Sequence, residues 1–245
     1  MNLLAIDTSG PAASVAVMSE GRIVCSIAMQ RGLTHSETIM PAVDAALSAA
    51  DLSCRDIDAF AAVAGPGSFT GVRIGVCAVK GLAHAANRPC ARIHALEALA
   101  MNYSGFDGLC CPILDARRGQ VYCAAYDLSN GLPVEVLAPE AIPLSDFLGK
   151  LPGDRRLAFL GDGVPVHEQT VRAALGERAV IAPEHLRFLR ADAACVLAAS
   201  RPEAWMEARR LTPIYLRAPQ AERERKAGRD HTKPLRRQRA EEASV

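Results

Sequence analysis

The chain has 245 residues, half of them apolar, and its 28 Lys or Arg nearly balance 27 Asp or Glu for a net charge of +1. That length buries one large core or two modest ones, and the short second half favours two unequal lobes. The longest apolar runs fall far short of the ~20 residues of a membrane span, and Asp7 interrupts the N-terminal apolar segment too early for a signal peptide.

Eight cysteines, at 25, 54, 77, 90, 110, 111, 123 and 195, form no Cys-x-x-Cys pair. Cys25, Cys77 and Cys123 sit inside apolar runs, which reads as reduced core thiols of a cytosolic protein and neither a zinc site nor a disulfide framework.

Three short strands open the chain: Leu3 to Ile6, Ala13 to Met18, and Ile23 to Cys25 after the turn Glu20-Gly21-Arg22. The first is a buried apolar run ending in Asp7-Thr8-Ser9-Gly10. An Asx-type turn accounts for those four residues as well as a phosphate-binding turn does. Next, Thr34-His35-Ser36-Glu37 has the form of a capping box, and Ile39, Val43, Ala46, Leu47 and Ala50 recur at helical spacing. A helix is predicted from Thr34 to about Ala50, with Pro41 kinking it.

The apolar run Ala59 to Val63 is followed by Ala64-Gly65-Pro66-Gly67-Ser68-Phe69-Thr70-Gly71-Val72-Arg73-Ile74-Gly75. Two readings of this string stand side by side. A glycine turn from strand to helix leaves N–H groups at the helix start, where the macrodipole favours an anion such as phosphate. Alternatively Gly65 and Gly67 supply the positive φ of a tight turn while Ser68 or Thr70 caps the helix. The helix itself, from about Thr70 to Asn87, is apolar around most of its circumference, interrupted only by Arg73 and Lys80. Such a helix is buried on more than one side, and Gly71, Gly75, Ala78 and Gly81 permit close helix approach.

The segment from Ile113 to Asp127 repeats the opening pattern: an apolar strand, Asp115, a turn with Gly119, and a second strand. The distance from Asp7 to Asp115 suggests a duplicated unit of roughly a hundred residues. Arg117 and Arg118 stand where a phosphate turn would need small hydroxyl residues. Six histidines, at 35, 84, 94, 167, 185 and 231, form no His-x-x-x-His pair, and Ser68 lacks the flanking glycines of a hydrolase elbow. From Arg223 to Arg239 there are eight basic residues against two acids, so this segment carries +6 and the body is acidic. With few apolar residues, the stretch after about Ala218 is predicted to be a disordered tail, either a solubilising segment or an arm attracted to RNA phosphates.

The chain resembles the TsaB (YeaZ) family, of the actin-like superfamily, over residues 1 to 217. The resemblance rests on Ala5-Ile6-Asp7-Thr8-Ser9, His35 to Pro41, Gly65 to Gly75, Asp115 to Tyr122 and Pro213-Ile214-Tyr215-Leu216-Arg217. It implies an α/β, two-lobed actin-like (ribonuclease H-like) fold with a reduced second lobe: residues 1–105, 106–217, then a basic disordered tail, 218–245. It also implies a non-catalytic subunit of the machinery that makes threonylcarbamoyladenosine in tRNA. Its expected partners are a TsaD-like catalytic subunit, a TsaE-like ATPase and tRNA within the complex, with a homodimer when alone.

In that family the two helices described above pair subunits, which assigns Ile39, Val43, Leu47, Val72, Gly75, Val76, Ala78, Val79 and Leu82 to a partner interface. Asp7, Thr8, Ser9, Gly65, Gly67, Ser68 and Thr70 are assigned to a vestigial nucleotide cleft, and Gly161-Asp162-Gly163 falls where the superfamily often places an adenosine-binding turn. In TsaD a His-x-x-x-His pair binds a metal; here Ala95 and Leu99 align with those two histidines. The resemblance therefore implies no catalytic residue, metal or cofactor. The alternative is an ATP-dependent phosphotransferase using Asp7.

Overall fold

In the computed structural model, which describes residues 1–32 and 34–217, the chain opens with an antiparallel meander of β1 (Asn2–Asp7), β2 (Ala13–Ser19) and β3 (Arg22–Met29). Helix α1 (His35–Ala49), β4 (Ala59–Val63), α2 (Phe69–Ala86), β5 (Cys90–Ile93) and α3 (Ala95–Ala100) follow. Strands β4 and β5 run parallel to β1, so the first sheet has the order β3-β2-β1-β4-β5.

The second half repeats this plan. Strands β6 (Leu109–Asp115), β7 (Gln120–Asp127) and β8 (Val134–Pro143) form the meander; after α4 (Leu144–Lys150) come β9 (Leu157–Leu160), α5 (Val164–Leu175), β10 (Ala179–Ile181) and α6 (Ala191–Ser200). The second sheet is ordered β10-β9-β6-β7-β8, with β9 parallel to β6 and β10 parallel to β9. Counted from each meander, both sheets have the same order, and β1 and β6 each end in an aspartate. This is the duplicated, two-lobed actin-like α/β fold. The second copy is reduced in its parallel strands: β9 and β10 have four and three residues, against five and four in β4 and β5.

Strands β1 and β4 are apolar on both faces because both are covered, as a strand sandwiched between helix layers requires. Side chains alternate across the sheet. Leu4, Ile6, Val15, Val17, Phe60 and Ala62 pack with α1 and α2, while Leu3, Ala5, Ala16, Met18, Ala59 and Ala61 pack with α3 and α6. The second sheet buries Leu109, Cys111, Ile113, Val121 and Phe159 against α4 and α5, and turns Cys110, Leu114, Ala124 and Tyr126 toward the layer of α3 and α6. The result is five layers, with one central core shared by both sheets.

Helix α6 reaches that central layer because it is built from small residues. Ala191, Ala194, Cys195 and Ala198 are buried, the Ala191 N–H donates to Ser14 Oγ at 2.9 Å, and the Cys195 thiol approaches the carbonyls of Leu3 and Ala16. Beyond α6 the chain returns across the first lobe. Met206 and Cys90 exchange two backbone hydrogen bonds, Lys80 Nζ donates to the Arg209 carbonyl at 3.0 Å, and the Ile214 N–H donates to the Ala64 carbonyl at 2.7 Å. Arg217 Nη1 then donates to the Ala116 carbonyl at 3.1 Å. Residues 206–217 are thus a strap fastened to both lobes.

One local expectation, the capping box at Thr34, is corrected. Thr34 is the N-cap residue of α1 but makes no side-chain capping bond; the turn closes instead through the Glu37 N–H and the Thr34 carbonyl. Pro41 lies inside α1 without ending it, because Pro41 and Glu37, the residue whose carbonyl loses its partner, are both exposed. Among the described residues, no helix is long and apolar enough to cross a membrane. The basic tail expected after Ala218 lies outside the described residues.

Candidate functional site

Asp7 ends β1 and is 1% exposed. Its Oδ1 accepts from the Ser9 N–H at 2.9 Å and the Ser9 hydroxyl at 2.6 Å, while Oδ2 has no hydrogen-bond partner. Burial pushes its carboxyl up to about 6, opposed by the two Ser9 bonds and by the nearby His35. Asp7 faces a cavity of only about 20 Å³, with Asp162, Arg187 and Leu189 among its walls.

The glycine string is spent on packing. Gly67, Gly71 and Gly75 recur every four residues, and a Cβ on each would collide with Ser9 O, Thr8 O and Thr8 Oγ1 respectively. The Ser68 N–H donates to the Ser9 carbonyl at 2.7 Å, and the Thr8 hydroxyl donates to the Gly71 carbonyl at 2.6 Å. Gly65, at φ +111° before a cis Pro66, lies where a Cβ would press on the Ile214 carbonyl of the strap. Of the two capping candidates, Ser68 is used, accepting from the Gly71 N–H at 3.3 Å. Close approach of β1, α2 and the strap therefore demands each of these glycines, without any anion.

In the second lobe the equivalent turn is built differently. Asp115 is exposed; its Oδ1 accepts from the Arg117 N–H at 2.8 Å, and its own N–H donates to Asp162 Oδ1 at 3.0 Å. Burial raises the Asp162 carboxyl above the usual carboxylate range. Gly161, at φ +115°, and Gly163 pack on the Ile113 carbonyl at the end of β6, as Gly67 and Gly71 pack at the end of β1.

Between the lobes lies an open cleft of about 540 Å³. Ser9, Gly67, Ser68 and Thr70 line it, facing Asp115, Arg117 and Asp162. Asp7, Thr8 and Gly65 do not line it, because Ser9 to Pro11 cover Asp7 and the strap covers Gly65. Sequence reasoning missed Phe69, Tyr215 and Arg217 as cleft residues. The rings of Phe69 and Tyr215 stack at 5.4 Å, Arg73 lies 3.8 Å over Phe69, and its Nε donates to the Tyr215 hydroxyl at 2.9 Å. Only the strap brings Tyr215 here.

The positions aligned with the metal-binding histidines of TsaD, Ala95 and Leu99, are wholly buried in the central core. Their neighbour His94 has neither ring nitrogen hydrogen-bonded, and burial pushes its imidazole down to about 4, so it is neutral at neutral pH.

The expected partner surface needs correcting. Ile39, Val43, Leu47, Val72, Gly75, Val76 and Val79 are buried in the chain's own first lobe. Helical periodicity marks an apolar face but does not say whose surface covers it, and here the chain's own sheet does. Ile74, Ala78 and Leu82 are half-buried and pack against the edge of the first lobe's core, next to the exposed Arg73, Cys77 and Gly81. On α1 the exposed large apolar residue is Met40.

A family model described as TsaD, tRNA N6-adenosine threonylcarbamoyltransferase, matches residues 22–225. The tRNA threonylcarbamoyladenosine biosynthesis protein TsaB of Bacillus subtilis is 36% identical over 223 residues, covering 91% of this chain and 96% of that protein. A threonylcarbamoyltransferase of Prosthecochloris aestuarii is 32% identical over 112 residues, only 40% of this chain and 32% of the enzyme. The end-to-end match decides between them. The chain belongs to the TsaB (YeaZ) family. The structure of YeaZ from Pseudomonas aeruginosa agrees, with a TM-score of 0.73 at 28% identity over 87% of this chain and all of that one. TsaB of Escherichia coli is 36% identical over 58% of this chain.

Proposed function

We propose that this chain is a non-catalytic scaffold subunit in tRNA threonylcarbamoyladenosine biosynthesis. It pairs with a TsaD-like transferase, helps recruit a TsaE-like ATPase, and self-associates when alone. The biosynthetic role follows the family; the scaffold role rests on one observation of this chain, the filling of the glycine stripe of α2 by Thr8 and Ser9. A nucleotide-phosphate turn needs its N–H groups and a nearby carboxylate open to the ligand. Here the Ser68 N–H is taken by Ser9, and Asp7 faces a cavity too small for a phosphate. The chain's residues thus do not fit a metal-nucleotide group at Asp7, and no reaction step is assigned to it.

The half-buried Ile74, Ala78 and Leu82 on α2, only partly covered by the chain's own core, and the exposed Met40 on α1 are the apolar helix positions left for a partner. The small residues of α2 suit close helix-on-helix contact.

One observation favours the phosphotransferase alternative: the unpaired Oδ2 of Asp7, an orphaned buried oxygen of the kind that a ligand satisfies. Reconstitution of tRNA modification with each subunit omitted tests the two readings, together with ATP turnover by this chain alone. The scaffold reading expects modification to need this chain, while the chain alone turns over no ATP. Turnover by the isolated chain that is lost in Asp7→Ala contradicts it.

A further inference from the structure

The β6–β7 hairpin closes through a tight turn that requires left-handed backbone, and it places arginine where glycine would be unstrained. Arg117 and Arg118 have φ of +64° and +58°, ahead of Gly119 at +71°. Left-handed backbone is unfavourable for any side chain with a Cβ, and glycine in place of Arg117 would fill the turn without that cost. In the equivalent turn of the first lobe, none of Thr8, Ser9 and Gly10 has a positive φ.

What the strained turn achieves is placement. Arg117 lines the interlobe cleft, and the strap brings Arg217 to the same cleft, tied to the Ala116 carbonyl beside it. Across the cleft stand Phe69 and Tyr215, still 39% and 41% exposed despite their stacking, with Arg73 against both. Asp115 and Asp162 stand on the Arg117 side of the cleft, where Asp115 accepts from the Arg117 N–H and Asp162 from the Asp115 N–H. Guanidinium groups beside open aromatic rings are how proteins hold a phosphodiester backbone and stack its bases. In the sequence, the segment Arg223 to Arg239, which carries +6, follows Arg217.

We propose that the mouth of the interlobe cleft is an RNA-binding surface, in which Arg117 and Arg217 contact phosphates and the Phe69–Tyr215 pair stacks on an unpaired base. The choice of RNA rests on the tRNA-modification reading above. The binding itself is independent of the transferase.

The test is fluorescence anisotropy of a labelled, unmodified tRNA transcript on the full-length chain across a salt series, with ATP as a second probe. Arg117→Gly is the decisive variant, because it removes the charge while relieving the turn. It is expected to raise the melting temperature, weaken tRNA binding several-fold and reduce the salt slope by roughly 0.7 to 0.9, the share of one phosphate contact. Arg117→Lys is expected to retain most of the affinity, and Tyr215→Ala to weaken binding with an unchanged slope. Wild-type affinity and slope in Arg117→Gly overturn the inference, as does a loss confined to ATP binding, which marks a free-nucleotide site. Modification that proceeds without this chain sinks the scaffold reading instead, and leaves the anisotropy result standing.

Discussion

The hydroxyl of Thr8 donates to the carbonyl of Gly71 at 2.6 Å, joining the end of β1 to the first turn of α2 across 63 positions of sequence. The contact is possible only because glycines stand at 71 and 75 in the helix and at 67 in the turn before it. Gly71→Ala should therefore cost about 2–3 kcal/mol, since backbone on both sides must shift to admit one methyl group. Gly149→Ala in α4, where nothing lies within 4 Å of the new carbon, should be neutral or stabilise by up to about 1 kcal/mol. Denaturant unfolding of the two variants checks the contrast; equal effects contradict the packing account.

Asp7 makes stability depend on pH. Its carboxyl is raised from 3.8 to about 6 in the folded chain, first by burial, so between about pH 4 and 6 the folded state holds more protons than the unfolded one. Its contribution to stability is thus fully present below about pH 4 and is lost as pH rises through 6, amounting to about 2–3 kcal/mol. Asp7→Asn, which keeps an acceptor for Ser9, should gain on the wild type by that amount between pH 4 and pH 7.5. Unfolding free energies at the two pH values measure it, and a gap independent of pH contradicts the assignment.

The half-buried row of Ile74, Ala78 and Leu82 on α2 is the proposed contact for both the second copy and the transferase. Ala78→Glu should abolish both together, because burying an unpaired carboxylate costs several kcal/mol. Sedimentation of the isolated chain and of its mixture with the transferase reads the outcome. A mutant that still dimerises, or one that loses only one of the two contacts, shows that they do not share a surface.

Much of the fold is legible in the sequence because its signals are local. The N-terminal meander and the second apolar run ending in Asp115 show period and punctuation within a dozen residues, and their repetition announces the duplicated sheet. The site is less legible because it is made by contacts between distant segments. Gly67 reads as part of a phosphate turn or of a tight turn, and Gly71 and Gly75 as points of close helix approach, until Thr8 and Ser9 are found against all three. Likewise, Val72, Val76 and Val79 mark a buried face of α2, but only the position of the first sheet shows that this face is covered from within the chain. Tyr215 enters the cleft through a strap anchored at Ala64, which no periodicity encodes.

The central claim is that the sealed aspartate does no chemistry, and the direct test is tRNA threonylcarbamoylation by the reconstituted complex carrying Asp7→Ala. The account predicts modification within about tenfold of wild type, with the variant folded and paired. A loss beyond about a hundredfold under those conditions would require some 2.7 kcal/mol of transition-state stabilisation from this carboxylate, and would contradict the scaffold assignment.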